Sequence, residues 1–217
     1  DVVQKENQLS AMRTINKSYS KTGKAIEKLI KPIANENNIT INYTYAFGNI
    51  KNEIETYISQ NKPDVIVIGK RKPKLIGFFS DNITDCVLKN HKGIVLIASN
   101  ETTFVTNKEL SLGFINDSNS ESSKNIKENL ISCSQKPLRV FNVVNESLEK
   151  TTPTNNKEII EYIFDKNDNA IKNISNYLTK SRVNLLFLNR EKNNKNSRLS
   201  NINNIINNVN CSLILSN

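Results

Sequence analysis

Helix-spaced apolar positions followed by continuous apolar runs recur along this chain, and one such block occurs twice. Around Gly48 the chain reads GNIKNEIETYISQNKPDVIVIGKR, and further on it reads DNAIKNISNYLTKSRVNLLFLNRE. At a constant offset of 120 residues Ile54 meets Ile174, Tyr57 meets Tyr177 and Ile58 meets Leu178. At the same offset Val65-Ile66-Val67-Ile68 meets Leu185-Leu186-Phe187-Leu188. Each block first spaces its apolar residues as a helix does. It then runs them together as a strand covered on both faces does. An ungapped match of this kind predicts two copies of one α/β unit.

The remaining pattern fills in around the repeat. Leu9, Met12, Ile15, Tyr19, Ile26, Leu29, Ile30 and Ile33 share one face, which predicts a helix over residues 9–34 with that face buried. Gly23 and Pro32 predict a late break in it. Residues 39–47, ITINYTYAF, alternate and are rich in β-branched and aromatic side chains, so a strand is expected. Gly48 and Asn49 form a turn before a short helix over 50–59. A strand covered on both faces follows at 65–68, then a helix at 82–90 with Ile83, Val87 and Leu88 inward, then a buried strand at 94–98.

Polar residues 99–108 read as a linker, which sets the expected domains at 1–100 and 109–217. The second domain should run strand 109–116, helix 120–134 with Ile126, Leu130 and Ile131 inward, strand 138–144 and an extended loop over 145–157. Strand 158–164, helix 169–179, strand 184–188, a polar loop over 193–204 entering a helix at Ile205 and Ile206, and strand 212–215 complete it. Strand and helix alternate throughout, which implies parallel sheets with helices on both faces. The second copy opens with a β-α-β over 109–144 that the first lacks. A typical unit of that kind, about 50–60 residues, is therefore expected upstream of residue 1. The apolar last strands of the two copies, Ile94-Val95-Leu96-Ile97 and Leu213-Ile214-Leu215, are too apolar for exposed edges and are expected to pair with each other within one chain.

Composition changes this picture little. The chain has 217 residues and a 37% hydrophobic content, enough for packed cores, and no apolar run long enough to cross a bilayer. No signal peptide stands at residues 1–10, so a cytoplasmic location with no membrane partner is expected. The odd cysteines, Cys86, Cys133 and Cys211, form no metal motif or disulfide framework and read as small buried side chains in a reducing compartment. The lone His91 reads as a surface residue. No metal site and no Ser/His/Asp, Cys/His or paired-carboxylate arrangement stands out, so no catalytic residue is assigned. The net charge is +9, yet the basic residues are dense only at Lys70-Arg71-Lys72-Pro73-Lys74 and no aromatics interleave with them. A solvated basic surface accounts for that, and nucleic acid ranks last among the partners.

At this point the chain resembles a known family. PDVIVIGKRKPKLIGFFSDNITDCVLKNHKGIVLIAS looks like the C-terminal signature of the universal stress proteins. That signature has an Asp, a buried strand ending in Gly, a loop of the form G-x-x-G-x9-G-[S/T], a helix and a buried last strand. The resemblance is strong for residues 39–100 and weaker for 109–217. It implies an α/β fold of two tandem open parallel-sheet domains, Rossmann-like and of the adenine-nucleotide alpha hydrolase type, packed as a pseudo-dimer. It also implies a role in stress survival, and ATP binding at strand ends in some members.

The loop decides which kind of member is implied. Backbone N–H groups approach phosphates closely only where no Cβ intervenes and a helix N-terminus stands behind. Gly69 keeps the first glycine position, Lys72 replaces the second, and Asp81-Asn82 falls near the last Gly-[S/T] pair. The second loop, NREKNNKNSRLSN, has no glycine, with Asn189 at the first position and Leu199-Ser200 near the last. Asp117 matches the family's adenine-side Asp but also fits a helix cap. The candidate nucleotide-binding residues are thus Gly69, Lys70, Lys72, Asn82, Asp117 and Ser200, in degenerate loops. Lys70, Arg71, Lys72 and Lys74 could hold an anion by charge alone.

The leading expectation is a non-catalytic regulatory or interaction module of this family, with no tight cofactor, the two domains paired intramolecularly and an unidentified protein partner. Assembly into homo-oligomers stays open. The alternatives are an ATP-binding member, acting as a nucleotide-gated switch or slow ATPase, and a basic nucleic-acid-binding protein.

Overall fold

The computed structural model describes residues 2–46, 48–70, 83–102, 110–115, 124–144, 158–190 and 200–216, with side chains for those from residue 20 onward except 200 and 201. The chain divides into two compact units, Asp1–Glu53 and Ile54–Asn217.

The first unit contains helix α1, Val2–Asn37, and an irregular segment after it. The helix runs unbroken through Gly23 and Pro32, against the expected late break. Proline removes one i→i−4 hydrogen bond, and the turns on either side carry the helix past it. Gly23 is buried beside Tyr43: a Cβ there would stand 3.1 Å from the Tyr43 hydroxyl, which donates to Glu27 Oε1 at 3.1 Å. Asn38, at φ 51, stops the helix in the left-handed conformation. The apolar face expected to be buried is only partly covered among the described side chains, with Ile26 and Ile30 half-buried but Leu29 70% and Ile33 50% exposed. The strand expected over 39–47 does not form in residues 39–46. A strand needs a partner for its N–H and C=O groups. The equivalent strand of the second copy has one, whereas 39–46 pairs with no described strand.

Helix α2, Ile50–Asn61, follows Gly48, whose φ of 152 lies where side chains are not tolerated. Asn49 Oδ1 caps α2 by accepting from Lys51 N at 3.1 Å. The second unit then continues with β1 (Val65–Gly69), α3 (Ile83–Asn90), β2 (Ile94–Ala98), β3 (Leu112–Ile115) and α4 (Lys124–Ser132). It closes with β4 (Leu138–Val144), β5 (Ile159–Asp165), α5 (Ala170–Lys180), β6 (Leu185–Asn189), α6 (Ser200–Asn208) and β7 (Ser212–Ser216). Among the described residues, no helix is long and apolar enough to cross a membrane.

The seven strands form one sheet in the order β1-β2-β7-β6-β3-β4-β5. All neighbours are parallel except β2 and β7. These are the two last strands of the repeat, and they pair as Val95↔Leu215, Leu96↔Ile214 and Ile97↔Leu213. The register is reciprocal about Leu96 and Ile214, so β1 and β2 meet the strands of the second half in a two-fold manner at this seam. The linker expected over 99–108 lies partly outside the described residues.

Two apolar layers cover the sheet. Val87, Val95, Ile97, Ile174, Leu186, Ile205, Leu213 and Leu215 build the larger one, beneath α3, α5 and α6. Leu112, Phe114, Leu138, Leu185, Phe187 and Ile214 build the other, where Leu130 and Ile131 of α4 pack. The central strands β6 and β7 are buried along their whole length, as a continuous apolar run predicts. Strand β1 departs from that expectation. Ile66 and Ile68 face the larger layer, but Val65 is 46% and Val67 60% exposed. The sequence patterns of β1 and β6 match, but β6 lies between β7 and β3 whereas β1 is an edge.

Candidate functional site

The local geometry around the ends of β1 and β6 matches bond by bond. Lys62 at φ 43 and Arg182 at φ 52, offset by 120 in number, end α2 and α5 in the same left-handed stop. Ile94 N donates to the Asp64 carbonyl at 3.2 Å, and Ser212 N to the Asn184 carbonyl at 3.2 Å. Lys70 N donates to the Ala98 carbonyl at 2.7 Å, and Arg190 N to the Ser216 carbonyl at 2.7 Å. The chain therefore leaves β1 at Lys70 and β6 at Arg190 in the same geometry, and the loops with the candidate phosphate positions begin there.

Because β2 and β7 are antiparallel, these two exits lie at opposite ends of the sheet. Gly69 and Lys70 stand at one end. Ser200, the first residue of α6, follows the exit of β6 at the other. The structure therefore splits the candidate residues between two places. Lys72, Asn82 and Asp117, like Arg71, Lys74 and Asp81, lie outside the described residues. Gly69 is exposed, and a Cβ built on it would meet nothing within 4 Å.

The side chains at the exits cross the seam. The Lys70 ammonium donates to the carbonyl of Val209, the residue just after α6 in the other half. The Arg190 guanidinium donates to the carbonyls of Leu88 at 3.4 Å and His91 at 3.0 Å, and to that of Gly93. These carbonyls lie at and just beyond the C-terminus of α3, in the first half. Helix ends leave carbonyls without intrahelical donors, and a cation there also meets the negative end of the helix dipole. Burial lowers the Lys70 pKa, against a smaller raising pull from Cys211 and Glu101. Burial also lowers that of Arg190. Carbonyl dipoles thus replace part of the water around both charges.

His91, expected at the surface, is only 5% exposed. Its ring lies against Gly93, where a Cβ would stand 2.7 Å from His91 Nε2 and 2.7 Å from the Asp64 carbonyl oxygen. Among the described residues, His91 Nε2 and Arg190 Nε are buried with no hydrogen-bond partner. No sequence signal marked His91. Arg190 carries one, since it stands 120 residues after Lys70, although no glycine marks the second loop.

The cysteines divide. Cys86 and Cys211 are buried as expected, whereas Cys133, just beyond α4, is exposed. Burial pushes the Cys211 thiol up to about 12, with a backbone hydrogen bond and then Lys70 pulling the other way. Alkylation requires the thiolate. In the native protein at pH 8, iodoacetamide is expected to label Cys133 first, with Cys86 and Cys211 reacting only after denaturant is added. Peptide mass spectrometry reads the order, and early labelling of Cys211 would contradict this packing. Among the described residues, no cluster of three His, Cys, Asp or Glu could hold a metal ion.

No family model matches the chain, and no curated protein does. Solved structures do resemble it. A universal stress protein from Archaeoglobus fulgidus DSM 4304 superposes with a TM-score of 0.63 at 15% identity, covering 91% of this chain and 77% of that one. A protein of unknown function from Pseudomonas aeruginosa PAO1 gives a TM-score of 0.59 at 9% identity, covering 89% of this chain and 77% of that one. At such identities the likeness is one of fold, and this chain has the α/β fold of the Archaeoglobus universal stress protein.

Proposed function

We propose that this chain is a universal stress protein in which two copies of the repeat are joined through their last strands. It acts without catalysis, as a regulatory or interaction module with degenerate nucleotide loops. The observation that carries this reading is where the two loop-entry cations go. Lys70 and Arg190 are the described cations at the two strand exits where such loops begin. Lys70 gives a hydrogen bond to Val209, and Arg190 gives its donors to Leu88, His91 and Gly93, so drawing either cation onto a phosphate would first have to break these contacts. An alternative with its own support is the ATP-binding switch. The open space around Gly69 leaves a ligand room to approach the first loop.

Calorimetry of the full chain with Mg-ATP separates the two readings. The expected result is no saturable binding at submillimolar ATP. A dissociation constant in the low micromolar range, lost in Gly69→Val, would favour the switch. That variant is a clean control, because a side chain at Gly69 meets nothing and β-branched residues suit a strand end.

A further inference from the structure

We propose that Lys70 and Arg190 form a reciprocal clasp, in which the strand exit of each half holds the helix terminus of the other. The first half's conformation is then coupled to the second's through two crossed contacts. The proposal rests on geometry alone and is independent of any nucleotide.

Val209 and His91 occupy equivalent places in the two copies. Each amide donates back into its own helix, Val209 N to the Ile205 carbonyl at 3.0 Å and His91 N to the Val87 carbonyl at 2.8 Å. Each residue also stands three before the first residue of a seam strand, β7 or β2. The cation that reaches each carbonyl comes from the opposite half and from equivalent positions, Lys70 and Arg190. A contact made twice, in opposite directions across one seam, is a property of the pairing and not of either copy alone. The clasp also lies where each loop begins.

The two arms are unequal. Arg190 is 6% exposed and reaches three carbonyls, so it is locked in place. Lys70 is only half-buried and reaches one described carbonyl with one of its three N–H groups. The arm from Lys70 to the end of α6 is thus the one that opens first.

Hydrogen exchange on the full chain, resolved by mass spectrometry, tests the crossing. Methionine keeps the apolar stem and removes the charge and the donors. Arg190→Met should speed exchange of the His91 and Ile94 amides about tenfold or more, the size expected for losing charged hydrogen bonds. Lys70→Met should speed Val209 and Ser212 by a smaller factor and leave His91 and Ile94 within about twofold of wild type. Speeding confined to the substituted residue's own half, or spread evenly over both halves, would overturn the proposal. Should Arg190→Met fail to fold, Arg190→Lys retains a cation and gives the same reading. Faster exchange at His91 and Ile94 than in the second half supports the clasp, and the reverse overturns it. Lys70→Met loses a single described contact and provides an independent answer from the other side.

Discussion

Leu213→Asp is expected to abolish the cooperative folding of residues 54–217. Leu213 is fully buried and lies at the seam, opposite Ile97 of β2 on one side and Leu186 of β6 on the other. Removing its side chain alone would cost about 2–5 kcal/mol. A carboxylate in the same place adds several kcal/mol more, because no described cation is paired there and a buried unpaired charge is strongly disfavoured. Together these match or exceed the roughly 5–15 kcal/mol that a domain of this kind has in total. Urea titrations followed by circular dichroism should show a sloping, non-cooperative signal in place of a transition. Val67→Asp is the matched control. It places the same charge on a strand of the same sheet, but at the exposed edge position, and should shift stability by less than about 1 kcal/mol. Equal damage from the two variants would mean that the seam is not the core of this unit.

Phe141→Ala should cost about 3–5 kcal/mol without abolishing the fold. The Phe141 ring is fully buried, 5.2 Å from that of Tyr162 and 6.4 Å from that of Phe164 between centroids. It also closes over Gly113 of β3, where a Cβ would stand 3.2 Å from it. The other half has no described counterpart of this aromatic layer, so the cavity would fall in the second half alone. For a chain of this size the thermal midpoint should drop by about 6–20 °C. A drop of under a degree or two would show that the neighbouring rings repack to fill the space.

Much of the fold was legible from residue pattern. Helical spacing marked α2, α3 and α5 to within a residue or two, because each buries a face against the sheet. Continuous apolar runs marked β2, β6 and β7 for the same reason. The β2–β7 pairing was legible too, since each copy closes on an apolar strand that is unfavourable as an exposed edge, and each can cover the other. The misjudged places share one cause. Whether VIVI is covered on both faces, or ITINYTYAF finds a partner strand, depends on a neighbour that the local sequence does not contain. Val65 and Val67 are exposed although β1 is patterned like β6. The candidate site was less legible again. A basic residue after a strand reads equally well as a phosphate ligand or a helix clasp.

Periodicity and repetition thus determined the elements, their order and the strands that join the two halves, because burying a periodic apolar face is a local demand that a chain must meet wherever it folds. The tertiary structure alone decided that Lys70 and Arg190 reach across to the opposite half, that His91 is buried beside Gly93, and that β1 is an edge. Those outcomes depend on which carbonyls, rings and strands the antiparallel seam brings alongside residues about a hundred positions away, and distance in space across a seam leaves no period in the sequence.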